Sequence, residues 1–183
     1  EPVLYLHGEG AAFSAGADLA EVRDLDGDAA ADFAALGQRV ATTLEGYDGA
    51  VVAGIDGAAR GGGVELALAC DIRVATPAAT FAETGVKLGL FGAWGGTTRL
   101  PRVVGDGEAL DLSLSGRTVD AEAALRMGLV SRIVEDPRAV ADELAAVDGA
   151  ALRTLKRRLR DDADQRVGDE RERAAFAELV ESG

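Results

Sequence analysis

Apolar and polar positions along the chain follow two alternating periods. Val3 to His7 is a short apolar run with the pattern of a buried strand, and a loop from Gly8 to Asp18 follows it. From about Asp28 to Glu45, apolar residues recur every three to four positions at Phe33, Leu36, Val40 and Leu44, which predicts an amphipathic helix burying that face. Ala50 to Ile55 is a second strand, stopped by Asp56-Gly57. A short helical stretch, Gly62 to Ala69, runs into a third strand over Asp71 to Ala75, and Thr80 to Ala82 is extended. After Gly95 the spacing is helical through most of the second half, interrupted by a strand over Leu129 to Val134. Strand and helix alternating in this way predict an α/β fold, a largely parallel sheet with helices packed on it. At 183 residues, with no internal repeat or low-complexity linker, residues 1–183 are expected to form one domain.

Composition narrows the classes. No apolar run reaches the roughly 18 residues of a membrane-spanning helix, and the first residues, Glu1 to Gly10, show neither a basic leader region nor a cleavage site. A soluble protein is expected, with the cytoplasm as default compartment. A single cysteine, Cys70, and a single histidine, His7, exclude a disulfide framework and a Cys/His metal site, so no metal is expected. The net charge of −13 argues against a nucleic-acid partner. The one dense basic run, Arg153 to Arg160, is followed by Asp161, Asp162 and Asp164 and is expected to be a solvated helix face. A chain so acidic, Ala-rich and Lys-poor is compatible both with a high-salt cytoplasm and with GC-rich coding.

Two candidate motifs fail on inspection. Gly8-Glu9-Gly10 follows a strand and begins like a dinucleotide fingerprint, but Phe13 stands in place of the third glycine. Ala12-Phe13-Ser14-Ala15-Gly16 is a variant of the nucleophile elbow, yet the only histidine, His7, lies upstream of Ser14, whereas that fold supplies its histidine late in the chain. The third motif is Gly57-Ala-Ala-Arg-Gly-Gly-Gly-Val-Glu-Leu-Ala-Leu-Ala-Cys-Asp71. Its consecutive glycines, Gly61 to Gly63, leave backbone N–H groups unshielded where a helix begins and its positive dipole end points outward. An oxyanion donor at Gly62, with the carboxylate of Glu65 one turn further on, suits enolate formation with an acid or base beside it. A tight loop-to-helix turn followed by an exposed Glu65 is the equally open structural reading.

At this point the residues resemble a known family. The segment Ile55 to Ile72 is similar, almost position for position, to the signature of the enoyl-CoA hydratase/isomerase (crotonase) superfamily. Ala12 to Leu19 resembles the family's F-C/S-A-G-A-D-L loop. Val86 to Leu90 continuing through Gly95 to Arg102, and Ala123 to Val130, resemble two further motifs in the family's order. The resemblance implies a crotonase-like ββα spiral (the ClpP/crotonase fold) and an acyl-CoA substrate. It also implies no cofactor beyond the coenzyme A carried by that substrate, no membrane partner, and homotrimers that often pair into hexamers. Relative to the family, the usual preceding strands and last helix lie outside this sequence, so the fold is expected to be truncated at both ends.

Carried over by motif, the N–H groups of Ala17 and Gly62 correspond to the pair that receives the thioester oxygen, and Ala17, Asp18, Leu19 and Ala20 to the turn that binds CoA. Glu65 corresponds to the first of two catalytic glutamates of hydratases, which would make hydration of trans-2-enoyl-CoA the leading reaction. The second glutamate falls at Gly85, and a glycine cannot transfer a proton. Were the segment extended, Glu83 would lie roughly 7 Å from Gly85 on the same face. A surface position is the first expectation for Glu83, and a substitute acid/base the second. The run F-A-E-T-G-V-K from Phe81 is also similar to the F-G-Q-T-G-P-K of dihydroxynaphthoyl-CoA synthases, which lack a carboxylate at the position of Glu65. Another crotonase-type reaction (isomerase, synthase or hydrolase) and a non-catalytic binding or assembly subunit therefore remain alternatives.

Overall fold

The computed structural model describes residues 1–182. The chain runs β1 (Val3–His7), β2 (Ala12–Ser14), α1 (Leu19–Arg23), α2 (Gly27–Glu45), β3 (Ala50–Ile55), β4 (Ala58–Arg60) and α3 (Gly62–Ala69). After β5 (Ile72–Ala75), β6 (Thr80–Ala82) and a 3-10 turn (Thr84–Leu88) come α4 (Gly96–Val104) and α5 (Asp106–Ser115). The remainder is β7 (Val119–Asp120), α6 (Ala121–Arg126), β8 (Arg132–Ile133), α7 (Pro137–Ala145), α8 (Gly149–Leu159) and α9 (Gln165–Ser182).

Successive strands enter two different sheets. One has the order β1-β3-β5-β8, parallel throughout, and the other β2-β4-β6-β7, parallel except for the last pair. Each of the first three passes thus lays one strand in each sheet before helices return the chain, and in the last pass β7 and β8 enter the two sheets in reverse order with α6 between them, which is the ββα spiral the resemblance implies with its last turn altered. The sheet is split where a single, largely parallel one was expected. All six residues of β3 are buried, as expected of an apolar strand flanked by parallel neighbours and covered on both faces. The main core gathers Val51, Ile55, Val64, Leu68, Phe81, Leu100, Leu112 and Leu129 from strands and helices of both halves. No helix among the described residues is long and apolar enough to cross a membrane.

Three local expectations need correction. Helix α2 buries Gly37 and Ala41, while Leu36 and Val40 are 53% and 45% exposed. The reason is close approach: a Cβ on Gly37 would lie 2.1 Å from the Trp94 ring, so the contact face of α2 needs small residues that the apolar period does not reveal. β8 covers only Arg132 and Ile133, because Leu129 and Val130 are buried in a turn whose N–H groups donate back to the Ala124 carbonyl at 2.8 and 3.3 Å. The basic run is not merely solvated. Lys156 Nζ donates to the Tyr47 and Gly49 carbonyls and pairs with Asp71 Oδ2, each at 2.8 Å, and Arg160 pairs with Asp71 and Glu45 at 2.7 and 2.8 Å. These bonds fasten the end of α8 to the α2–β3 connection.

Candidate active site

The glycine-rich segment turns from β4 into α3 at Gly61, whose φ of +46° is a conformation that side chains disfavour. Its neighbours are glycine for a different reason, which is space. A Cβ on Gly62 would lie 2.5 Å from the Trp94 ring, and one on Gly63 2.5 Å from the Ser14 carbonyl oxygen. Gly16, at φ +84°, brings the β2–α1 loop against the start of α3, where its added Cβ would be 3.1 Å from the Gly62 nitrogen. Ala17 and Gly62 therefore line one cavity of about 250 Å³, together with Leu19, Phe33, Glu65 and Trp94. Among the described residues, neither the Ala17 nor the Gly62 N–H has a protein acceptor. Two unpaired donors on one cavity wall, Gly62 at the N-terminus of α3, can receive a developing oxyanion. Asp18 instead caps α1, accepting from the Ala20 N–H at 2.8 Å, and Asp18 and Ala20 are exposed outside the cavity lining.

Glu65 is one turn into α3 and 2% exposed, so the reading of an exposed glutamate does not hold. Its Oε1 accepts from the N–H groups of Trp94 at 2.8 Å and Gly96 at 2.7 Å, and Oε2 has no partner among the described residues. Burial raises its pKa above the ordinary carboxylate value, against the opposing pull of the Gly96 and Trp94 N–H groups and the Arg99 charge. The carboxylate fits only because two glycines face it: a Cβ on Gly92 or Gly96 would sit 2.8 Å from its atoms. Gly96→Ala is accordingly expected to push the carboxylate aside, lowering turnover about 10²-fold and stability by about 1–3 kcal/mol. Steady-state kinetics with a thermal melt check this, and an unchanged turnover number would contradict it.

Glu83 departs most from expectation. It is 8% exposed, not a surface residue, and its Oε1 is buried without a hydrogen-bond partner among the described residues. Burial first, and the charge of Glu65 second, push its carboxyl up to about 8, so at neutral pH it holds a proton. The assumption that Glu83 and Gly85 share an extended face also fails, since a 3-10 turn begins at Thr84, with Glu83 just before it and its side chain making no capping bond. Gly85 is crowded: its carbonyl accepts from the Leu90 N–H at 2.9 Å, and a Cβ there would be 3.0 Å from the Phe91 backbone. Glu83 opens instead on a cavity of about 50 Å³ lined also by Gly85, Gly92 and Gly96, room for at least one water. Gly92 and Gly96 thus border Glu65 and also line the small cavity on which Glu83 opens, while Glu83 does not line the larger cavity that holds Glu65.

The dismissed motifs stay outside this site. Ser14 Oγ accepts from the Gly16 N–H at 3.2 Å, and His7 is exposed at a strand end, stacked on Tyr5. Arg60 donates to the Ala59 and Thr80 carbonyls, tying β4 to β6. Cys70 is buried, and burial pushes its thiol up to about 12, which makes it unreactive. The residue overlooked in the sequence is Trp94. Its signal was available: it is the only tryptophan, set in the glycine-rich run Gly92-Ala93-Trp94-Gly95-Gly96.

The sequence model of the family described as Enoyl-CoA hydratase/isomerase matches residues 3–181. The chain is 40% identical over 151 residues to the crotonyl-CoA hydratase of Syntrophomonas wolfei, covering 82% of this chain and 58% of that protein. It is 42% identical over 123 residues to the short-chain-enoyl-CoA hydratase of Clostridium acetobutylicum, covering 67% and 47% respectively. It spans about half to three fifths of the length of these curated relatives. Among solved structures, the enoyl-CoA hydratase of Bacillus anthracis aligns with a TM-score of 0.91 at 32% identity, covering 98% of this chain and 73% of that one. The enoyl-CoA hydratase of Thermoplasma volcanium aligns at 0.92 and 30% identity, covering 97% and 74%.

Proposed function

The chain belongs to the enoyl-CoA hydratase/isomerase family, and we propose that it adds water across the double bond of a trans-2-enoyl-CoA, with Glu65 and Glu83 as its acid–base pair. The observation that carries this reading is the burial of both carboxyl groups around Gly92 and Gly96: a Cβ on either glycine would meet Glu65, and Glu83 lines a small cavity with both, its carboxyl pushed up to about 8 by burial and the Glu65 charge. The thioester oxygen takes the N–H groups of Ala17 and Gly62, each contributing about 3–4 kcal/mol once charge develops on it. Glu65, held through Oε1, accepts a proton from water as the water oxygen bonds to Cβ. The π electrons move to give an enolate, which collapses by taking a proton at Cα from a water that is itself reprotonated by Glu83, across the small cavity Glu83 shares with Gly92 and Gly96. The product is a 3-hydroxyacyl-CoA, and passage of the proton from Glu65 back to Glu83 resets the pair. Leu19, the first residue of α1, lines the cavity, whereas Asp18 and Ala20 contribute to the CoA turn through its backbone.

No cofactor enters this scheme beyond the coenzyme A of the substrate. Names of the relatives above make short enoyl thioesters the substrates to try first. Exposed apolar residues on α5 (Leu110, Leu114), α8 (Leu155, Leu159) and α9 (Phe176, Val180) support a homotrimer or hexamer. The test is incubation with crotonyl-CoA, following loss of the conjugated enoyl absorbance. A steady loss with formation of 3-hydroxybutyryl-CoA is expected. Binding of butyryl-CoA without any turnover of crotonyl-CoA would favour a non-catalytic subunit instead.

A further inference from the structure

We propose that Trp94 is the residue that sets acyl-chain length, its indole acting as a fixed plug at the acyl end of the cavity. The proposal rests on the reading of the cavity as an enoyl-thioester site. The reacting carbons are confined by the oxyanion donors at Ala17 and Gly62 and by the Glu65 carboxylate, so the rest of the acyl chain must continue past Glu65. Trp94 stands there. Its backbone N–H holds Glu65 Oε1 at 2.8 Å, and its side chain crosses from the start of α3 to α2. The six-membered ring fills the space a Cβ on Gly62 would need, at 2.5 Å, and the five-membered ring that of Gly37, at 2.1 Å. Phe33 packs on it with ring centroids 5.8 Å apart at a 50° tilt.

The plug is held, not hinged. Two glycines on different helices form its socket, and Gln38 Nε2 on α2 donates to the Ala93 carbonyl at 2.9 Å, pinning the preceding residue. The cavity that remains is about 250 Å³, below the roughly 300–1,000 Å³ of ordinary small-molecule sites, and it must hold the thioester and the attacking water as well as the acyl chain.

The experiment compares wild type, Trp94→Ala and Trp94→Leu on trans-2-enoyl-CoAs of four, six, eight and ten carbons, with binding of butyryl-CoA and decanoyl-CoA measured in parallel by calorimetry. Because one methylene against a pocket wall is worth roughly 10–200-fold, wild type is expected to prefer four carbons over ten by at least about 10²-fold in kcat/KM. Trp94→Ala should recover at least about tenfold on the ten-carbon substrate and change least on the four-carbon one, with Trp94→Leu between them. Binding should shift in the same order. Were no enoyl-CoA turned over while binding still shifted towards decanoyl-CoA in the variants, the plug would stand and the hydratase reading would fall. A wild type indifferent to chain length, or folded variants with unaltered length preference, would overturn the proposal.

Discussion

Glu65→Gln is expected to lower crotonyl-CoA hydration by about 10²- to 10⁴-fold while leaving the affinity for butyryl-CoA within about threefold. The amide oxygen can take over the N–H groups of Trp94 and Gly96 that now bond Oε1, so the site keeps its shape. What is lost is the basic oxygen at Oε2. A second readout accompanies the first. The charge of Glu65 helps to raise the Glu83 carboxyl, so removing it should bring the Glu83 pKa down from about 8, which difference infrared spectroscopy can follow. A variant with undiminished turnover would return Glu65 to a structural role.

Glu83→Gln should also lose about 10²- to 10⁴-fold in turnover, and in addition change how stability depends on pH. Glu83 holds its proton up to about pH 8 in the folded chain but only to about its ordinary 4.5 when unfolded. Between these values the folded state binds more protons than the unfolded one, so this group's contribution to stability is greatest below about pH 4.5 and falls as pH rises towards 8. At pH 7 the loss is on the order of 3 kcal/mol. Glutamine cannot ionise and removes that slope. Denaturant melts of both proteins between about pH 5 and 8 should therefore converge at low pH and separate progressively above it, in favour of the variant. Parallel profiles would mean that Glu83 is not held protonated. A buried carboxyl that costs stability at neutral pH and is influenced by the Glu65 charge fits an acid whose task is proton delivery.

What could be read in the sequence was local. Gly61 to Gly63 announce a helix start that a ligand oxygen can approach, and Glu65 follows within one turn, so the helix period alone places it near the same spot. Glu83 could not be placed this way. Its environment depends on whether the chain after Phe81 stays extended or turns, and the 3-10 turn at Thr84 changes the direction of every following side chain. The face of α2 was misjudged for a related reason: hydrophobic periodicity counts large apolar residues, whereas the packed face carries Gly37 and Ala41 to admit an indole from 57 positions away in sequence, between residues 37 and 94. Lys156 was likewise legible as a charge but not as the partner of Asp71. The misses at α2 and Lys156 concern contacts between segments far apart in sequence, which composition and spacing do not encode, whereas Glu83 was missed through a local turn.

The central claim is that Glu65 works ionised and Glu83 works protonated, and the pH dependence of kcat/KM for crotonyl-CoA tests it most directly. Over about pH 5 to 10 the account predicts a bell. Its acid limb lies above the ordinary carboxylate range, from Glu65, and its alkaline limb lies near 8, from Glu83. Residual activity of Glu83→Gln should keep the acid limb and lose the alkaline one. A wild-type profile that stays flat through pH 8 and beyond, or an alkaline limb that persists unchanged in Glu83→Gln, would contradict it.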